Sequence, residues 1–275
     1  MKKTVTIGFK TVLFLTLILS VSGAKEDVKP KNPQRYDKIQ IIEMASKQRM
    51  LSQAIAKDYF YIGKKIGTSK AKKQMVKSLK EFADTQQKLS LSIKDEEIKN
   101  LLAFVEMSNE DLVKTLKNKF NLDDAQLVLD FSETLLEGNQ YIIESIKESI
   151  DKKEQISKEK SILIERATNQ RVLAQRIAKY YISYQSGIKD KNTIHQMQTA
   201  VKEFDKIHKM LMSNEINTDV INKKLHQIDR LWRIVYKFYL NIEKGRLPYI
   251  VFVTTNDITK KMNDVTQMYL DLDKR

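Results

Sequence analysis

The chain contains no cysteine and, over 275 residues, has only three prolines and seven glycines. Without cysteine it can form neither disulfide bonds nor thiolate metal sites, so the fold must be stabilised by an apolar core. After Pro33 the next proline is Pro248, whereas Lys, Glu, Leu, Ile and Gln are abundant throughout this interval. This composition is typical of helical proteins and predicts an all-α fold.

The residue groups that build catalytic and metal sites are also missing from the sequence. The three histidines, His195, His208 and His226, do not have the spacing of a zinc motif or of the Glu-x-x-His pairs in di-iron bundles. There is no phosphate-binding loop and no nucleophile–base pattern. We therefore expect a protein that is not an enzyme and has no cofactor.

The formal net charge of +14 comes mainly from lysine. A strongly basic chain can bind nucleic acid, but helix-turn-helix and RNA-binding motifs are missing, as is an interleaving of arginine with aromatic residues. A lysine-rich surface is more often a solvated face, or one that meets anionic lipids and small anions. We expect no nucleic-acid partner.

Residues 1–24 have the pattern of a secretory signal peptide. Lys2 and Lys3 precede an apolar run that ends at Val21, and small residues up to Ala24 suit cleavage by signal peptidase. The alternative is an uncleaved membrane anchor, but a spanning helix needs about 20 apolar residues, and this run is shorter. The pattern favours cleavage after Ala24, a flexible leader at 25–35 and a soluble protein in the bacterial periplasm.

One segment of the chain occurs twice. The first copy, Ile42–Tyr59, reads IEMASKQRMLSQAIAKDY, and the second, Ile164–Tyr181, reads IERATNQRVLAQRIAKYY. We call these segments the two boxes. The offset of 122 residues (164 − 42) continues without insertion to Leu89 and Leu211, which indicates an internal repeat of packed helices rather than a short motif. The identical pairs include Gln48 and Gln170, Arg49 and Arg171, Gln53 and Gln175, and Lys57 and Lys179.

Apolar periodicity and turn residues divide each repeat into four predicted helices. The repeats span 36–155 and 156–275, giving two tandem four-helix bundles. Predicted N-terminal caps are Thr68 or Ser69, a residue in the stretch Asn121, Leu122 and Asp123, Asp190 or Asn192, and a residue between Ser213 and Thr218. The predicted helices cover 36–62, 70–92, 95–118, 123–186 with an uncertain break near 150–160, 193–212, 217–244 and 248–273, the last including the run YIVFV.

The relation between the two repeats is left open by the sequence. No proline lies between Asp123 and Gly187, which favours one long connecting helix that would place the boxes in separate, end-to-end bundles, each pairing in a homodimer. However, residues 149–161 are strongly polar, and a helix without an apolar stripe can bend or end there. In that case the boxes could meet within one chain.

Each box places its arginine among small residues. Ala45, Arg49 and Ala56 lie along one stripe of the first helix, as do the corresponding residues of the second. Small side chains allow another helix to approach closely, and an arginine in such a seam needs an acid or a bound anion to balance its charge. Either Glu43, Glu165 or another carboxylate meets the arginine, or a ligand does.

The segment ASKQRMLSQAIAK, residues 45–57, resembles the signature of the PilJ/NarX-type sensor domain of type IV pilus chemotaxis transducers and nitrate/nitrite sensor kinases. The second box resembles it as well. The resemblance implies a helical bundle that binds nitrate, nitrite or a similar anion at a two-fold interface between box helices. The signature departs from the family at Ser46 and Thr168, which replace a glycine, and at Ala54, which replaces an arginine. The ligand-binding residues that the resemblance implies are Arg49 and Arg171, supported by Gln48, Ser52, Gln53, Gln170 and Gln175.

Two functions are compatible with these features. The first is a periplasmic sensor for signal transduction or chemotaxis, which would bind a small anion and relay its occupancy to a membrane-bound chemoreceptor or sensor kinase. The alternative is a ligand-free helical scaffold or interaction protein, in which the boxes are packing surfaces.

Overall fold

The computed structural model describes residues 36–149, 158–244 and 247–272. This part of the chain is all-helical and contains no β-strand, as the composition predicts. Its helices are too short or too polar to cross a membrane. The predicted signal peptide and leader lie outside the described residues. The helices are α1 (Lys38–Gly63), α2 (Thr68–Ser92), α3 (Glu96–Thr115), α4 (Leu122–Glu148), α5 (Lys158–Ser186), α6 (Lys191–Met212), α7 (Asp219–Leu240) and α8 (Pro248–Leu270), with a 3-10 turn at Ile242–Lys244.

Side-chain caps fix the starts of several helices. Asp37 caps α1 by accepting a 2.7 Å hydrogen bond from the backbone N–H of Gln40, whose side chain accepts one from Asp37 in return. The caps of α4, α6 and α7 are Asn121, Asp190 and Thr218, each of which lies within the stretch predicted to hold the cap. The prediction for α2 was wrong, because its N-terminal cap is Gly67. This residue has a φ of +57°, a backbone conformation that glycine adopts without strain.

The α-helices of the described part form two groups, α1–α4 and α5–α8. Helices α1 and α5, the first of each group, pack against each other at the centre. Helix α1 packs on α2, α4 and α5, whereas α5 packs on α1, α6 and α8. Helices α3 and α7 complete the two groups by packing on α4 and α8. One core is centred on Phe82 and Leu89 and the other on Phe204 and Trp232. Because α1 has neighbours on several sides, it is buried over most of its circumference from Leu51 to Tyr61.

The preferred arrangement of end-to-end bundles was wrong. Helix α4 ends at Glu148, and α5 begins anew at Lys158 and packs along α1. The two boxes therefore lie side by side within one chain. The polar segment 149–161 gives a continuous helix little apolar surface to bury, which is the physical reason for the reversal. The middle of that segment, residues 150–157, lies outside the described part.

The two box helices run in the same direction. Ile39 and Ser161, near the starts of α1 and α5, line the same cleft as Ser46 and Thr168 farther along. These are equivalent positions of the repeat. The contact between α1 and α5, which we call the seam, thus brings Ile42, Glu43 and Ser46 of the first box near their counterparts Ile164, Glu165 and Thr168 in the second.

Candidate functional site

A cleft of about 70 Å³ lies where α4 meets the seam, and we call it the seam cleft. Its walls are formed mainly by isoleucines of the three helices, and the hydroxyl residues Ser46 and Thr168 also line it. Four charged side chains reach it: Glu43, Arg49, Lys147 and Glu165. The isoleucines are Ile39, Ile42, Ile143 and Ile164.

Of the four charged residues of this cleft, Arg49 is the one that forms no ion pair within the described part of the chain. It makes no hydrogen bond or ion pair with any described residue, and its buried Nε lacks an acceptor there. Burial lowers the pKa of Arg49 and the nearby positive charge of Arg176 lowers it further, whereas the negative charges of Glu203, Glu165 and Glu144 oppose this shift. Arg49 also lines an adjoining cleft of about 330 Å³, so its side chain lies between two openings on the same side of the seam.

The second box arginine is in a different environment. Both terminal nitrogens of Arg171 lie 3.1 Å from Oε1 of Glu43, and Nη1 also donates a 2.8 Å hydrogen bond to Asn263. The Arg171 side chain is 2 % exposed. A carboxylate from the first box therefore meets this arginine, which is one of the two alternatives that the sequence leaves open.

The groups that would be expected to do the same for Arg49 do not contact it. Glu165, the counterpart of Glu43, forms a 2.8 Å ion pair with Lys147. Asn139 is the counterpart of Asn263 if two residues were inserted between the repeats; its side-chain NH2 donates to the Leu135 carbonyl of its own helix, and its Oδ1 accepts no hydrogen bond from a described residue. The seam is consequently asymmetric: Arg171 is ion-paired with Glu43, whereas Arg49 has no ion pair within the described part of the chain.

The other predicted ligand-binding residues use their donors to join helices. Gln48 and Gln170 donate to the carbonyls of Phe82 and Phe204, which are themselves equivalent positions. The seam cleft is lined by none of the five predicted supporting residues, Gln48, Ser52, Gln53, Gln170 and Gln175. Other bonds run from Gln48 to the side chain of Gln86, from Ser52 to the carbonyls of Arg49 and Ser132, from Gln53 to the carbonyl of Ser132 and the hydroxyl of Ser52, and from Gln175 to the side chains of Thr259 and Asn256.

The repeated lysines tie the two groups of helices together, a role that the sequence reasoning missed. Lys57 of α1 donates a 2.5 Å hydrogen bond to Asn256 of α8, and Lys179 of α5 bonds Ser132 and Glu133 of α4. Burial opposes ionisation of Glu133, but Lys179 and Arg176 outweigh it and lower its pKa to about 2. The identity of Lys57 and Lys179 between boxes was the available signal.

The described side chains offer no cluster of three or more histidines and carboxylates suited to a metal ion. No family model matches this chain, and neither a curated protein nor a solved structure is significantly similar to it. Arg49, which has no ion pair among the described residues, is therefore the feature of the seam that indicates a function.

Proposed function

We propose that this protein is a periplasmic sensor that binds a small oxyanion such as nitrate or nitrite in the seam cleft, with Arg49 as the anchoring residue. The observation that carries the proposal is the contrast between the two box arginines: Arg171 is paired with Glu43, whereas Arg49 has no acidic partner among the described residues. The sequence resemblance implies that both box arginines hold the anion. We propose that only Arg49 does so.

The chemistry of the cleft supports an anion rather than a cation. Glu43 and Glu165 are each ion-paired with a positive residue, Arg171 and Lys147, whereas Arg49 forms no ion pair with a described residue. A guanidinium presents two parallel N–H donors, which match a planar oxyanion better than a point charge does. The surrounding isoleucines reduce access of water, and in a less polar environment such an ionic hydrogen bond is stronger.

The location of the cleft supports a sensory role. It lies between α1, α4 and α5, so an anion bound there would contact both groups of helices. A ligand shifts a conformational equilibrium only by its difference in affinity for the two states, and a site in the contact between two packed groups can produce such a difference. We propose that a membrane-bound chemoreceptor or sensor kinase detects this change.

A scaffold without ligand is the second candidate. It is favoured by the use of Gln48, Gln170, Lys57 and Lys179 in joining helices, since these box residues have a packing role whether or not an anion binds.

A thermal-shift titration separates the two candidates. The protein is titrated with the sodium salts of nitrate, nitrite, chloride, sulfate and acetate at constant ionic strength. A ligand that binds only the folded state at 100 times its Kd adds about 2.7 kcal/mol to the free energy of unfolding. We expect a saturable rise in Tm for a planar oxyanion.

The matched variants are Arg49→Lys, which keeps the charge but loses the fork, and Arg233→Lys, which makes the same change in an exposed pair on α7. The shift should be lost in the first variant and kept in the second. A wild-type protein that responds to none of these anions supports the scaffold, and an undiminished shift in Arg49→Lys removes Arg49 from the site.

A further inference from the structure

A second cleft, of about 210 Å³, lies beside the first box and is distinct from the seam cleft. Ala54, Lys57 and Asp58 of α1 line it together with Gln74 of α2, Gln175 of α5 and Asn256 of α8. We call it the Ala54 cleft. Neither the proposed anion site nor its anchoring residue Arg49 belongs to it, so it can be considered independently.

The repeat provides an internal comparison for this cleft, because Ala54 corresponds to Arg176 in the second box. The Arg176 guanidinium donates a 2.5 Å hydrogen bond to Glu133 and a 2.9 Å hydrogen bond to Gln196, and it lies 5.7 Å from the centre of the Tyr180 ring. Gln196 is the counterpart of Gln74. In the second half of the molecule, a guanidinium therefore sits in the place that Ala54 leaves free in the first half.

The first half differs from the second by a further change at the same place. Asp58 stands where the second box has Tyr180. Compared with the second half, the first half therefore has alanine in place of an arginine and a carboxylate in place of a tyrosine. The Asp58 side chain is 1 % exposed, and its Oδ1 lies 3.2 Å from Nζ of Lys57. This contact is an ion pair, so Lys57 partly balances the charge of the Asp58 carboxylate.

Two buried acceptors at this cleft are not fully satisfied. Oε1 of Gln175, whose side chain is 3 % exposed, accepts no hydrogen bond from a residue in the described part of the chain, and Oδ1 of Asp58 has only its contact with Lys57. The Lys57 ammonium also donates a 2.5 Å hydrogen bond to Asn256. Buried acceptors are almost always hydrogen-bonded, and each that is not carries a cost in free energy.

We propose that the Ala54 cleft binds a small organic molecule through a primary amine or guanidinium head group, which occupies the position of the Arg176 guanidinium and donates to Asp58 and Gln175. A guanidinium has five N–H donors and an ammonium has three, so either can serve both acceptors at once. The cleft is large enough for such a head group with a short aliphatic chain.

The test is a thermal-shift titration of the full-length protein with agmatine, L-arginine and low-millimolar guanidinium chloride, with sodium chloride as the salt control. Agmatine and L-arginine share the guanidinium head group but differ in the carboxylate, so their comparison identifies the class of compound. We expect a saturable rise in Tm with at least one of these compounds and none with sodium chloride.

Three variants locate the effect. Ala54→Arg supplies the guanidinium from the chain itself and should abolish the shift, and Asp58→Asn should weaken the apparent affinity at least tenfold. Asp257→Asn removes a carboxylate outside the cleft and should leave the affinity unchanged. Circular dichroism shows which variants are folded. If Ala54→Arg does not fold, the affinity of Asp58→Asn tests the proposal on its own.

A shift that persists undiminished in a folded Ala54→Arg protein or in Asp58→Asn overturns the proposal. So does a wild-type protein that responds to none of the three compounds, in which case the acceptors are served by water only.

Discussion

At the scale of single residues, the ion pair between Glu43 and Arg171 joins α1 and α5 across the seam. Arg171 is buried, and removing its partner leaves a positive charge held by Asn263 alone. Breaking a buried pair in this way costs about 3 kcal/mol or more. We predict that Glu43→Ala lowers the free energy of unfolding, measured in urea, by about 3 kcal/mol.

The equivalent position supplies the control for this prediction. Glu165 pairs with Lys147, and both side chains are more than one third exposed, so solvent screens their attraction. Glu165→Ala should cost less than about 1 kcal/mol. Equal losses in the two variants would contradict the asymmetry of the seam.

His208 makes a second residue-scale prediction, about pH. It is buried beside the Phe204 ring, its two ring nitrogens have no hydrogen-bond partner among the described residues, and burial lowers its pKa to about 4, although Asp229 and Asp205 oppose this. The unfolded chain, with a histidine pKa near 6.5, binds the proton more readily. Stability is therefore fully present above about pH 6.5 and is lost as the pH falls towards 4.

At about 1.4 kcal/mol for each pKa unit, the loss over this range is about 3 kcal/mol. His208→Leu should reduce the fall in urea midpoint between pH 7 and pH 5, whereas His195→Leu, at an exposed position, should not. If His208→Leu and the wild-type protein lose stability in parallel, the histidine does not cause the acid sensitivity.

Residue roles were predicted only in part. The small residues and the arginine of each box indicated a close seam, and the structure places both boxes there. Spacing could not reveal that Glu43 would reach Arg171 while Glu165 would turn to Lys147, because their sequence contexts are nearly the same. The difference arises from tertiary neighbours on α4 and α8.

At the scale of helices, Gly138 determines how closely α3 and α4 approach each other. A Cβ at this position would lie 2.8 Å from Cγ2 of Val105, which is closer than atoms normally come. Overpacking costs about 1–3 kcal/mol, and the better helix propensity of alanine recovers about 1 kcal/mol of it. Gly138→Ala should therefore destabilise the protein by about 1 kcal/mol.

Val105→Ala relieves the contact, so a double-mutant cycle tests the origin of the loss. We expect Gly138→Ala to be less destabilising, or stabilising, in the Val105→Ala background. Effects that add to within about 0.5 kcal/mol would mean that the two positions are not coupled.

Most helix boundaries were predictable within a few residues, because periodicity and caps are local signals. Asp190 caps α6 as its sequence suggests, and Pro248 begins α8, which contains the run YIVFV. The start of α2 was not predictable in this way, since Gly67 caps it through its backbone conformation and not through a side chain.

At the scale of the whole molecule, the packing of the two groups of helices was the feature that the sequence did not reveal. Helix propensity favoured a continuous connection, but it is a weak preference compared with burial of the seam. The ion pairs that join the two groups of helices, from Arg171 to Glu43 and from Lys179 to Glu133, connect residues far apart in sequence. No local pattern encodes such pairs.

The proposed function requires that one chain contains a complete anion site, with Arg49 as its anchor. Calorimetric titration of the anion that raises the Tm most measures this directly, because it gives the number of ligands bound per chain. We predict one anion per chain for the wild-type protein and no measurable binding heat for Arg49→Lys. A stoichiometry of one anion per two chains, or unchanged binding in Arg49→Lys, would contradict the account.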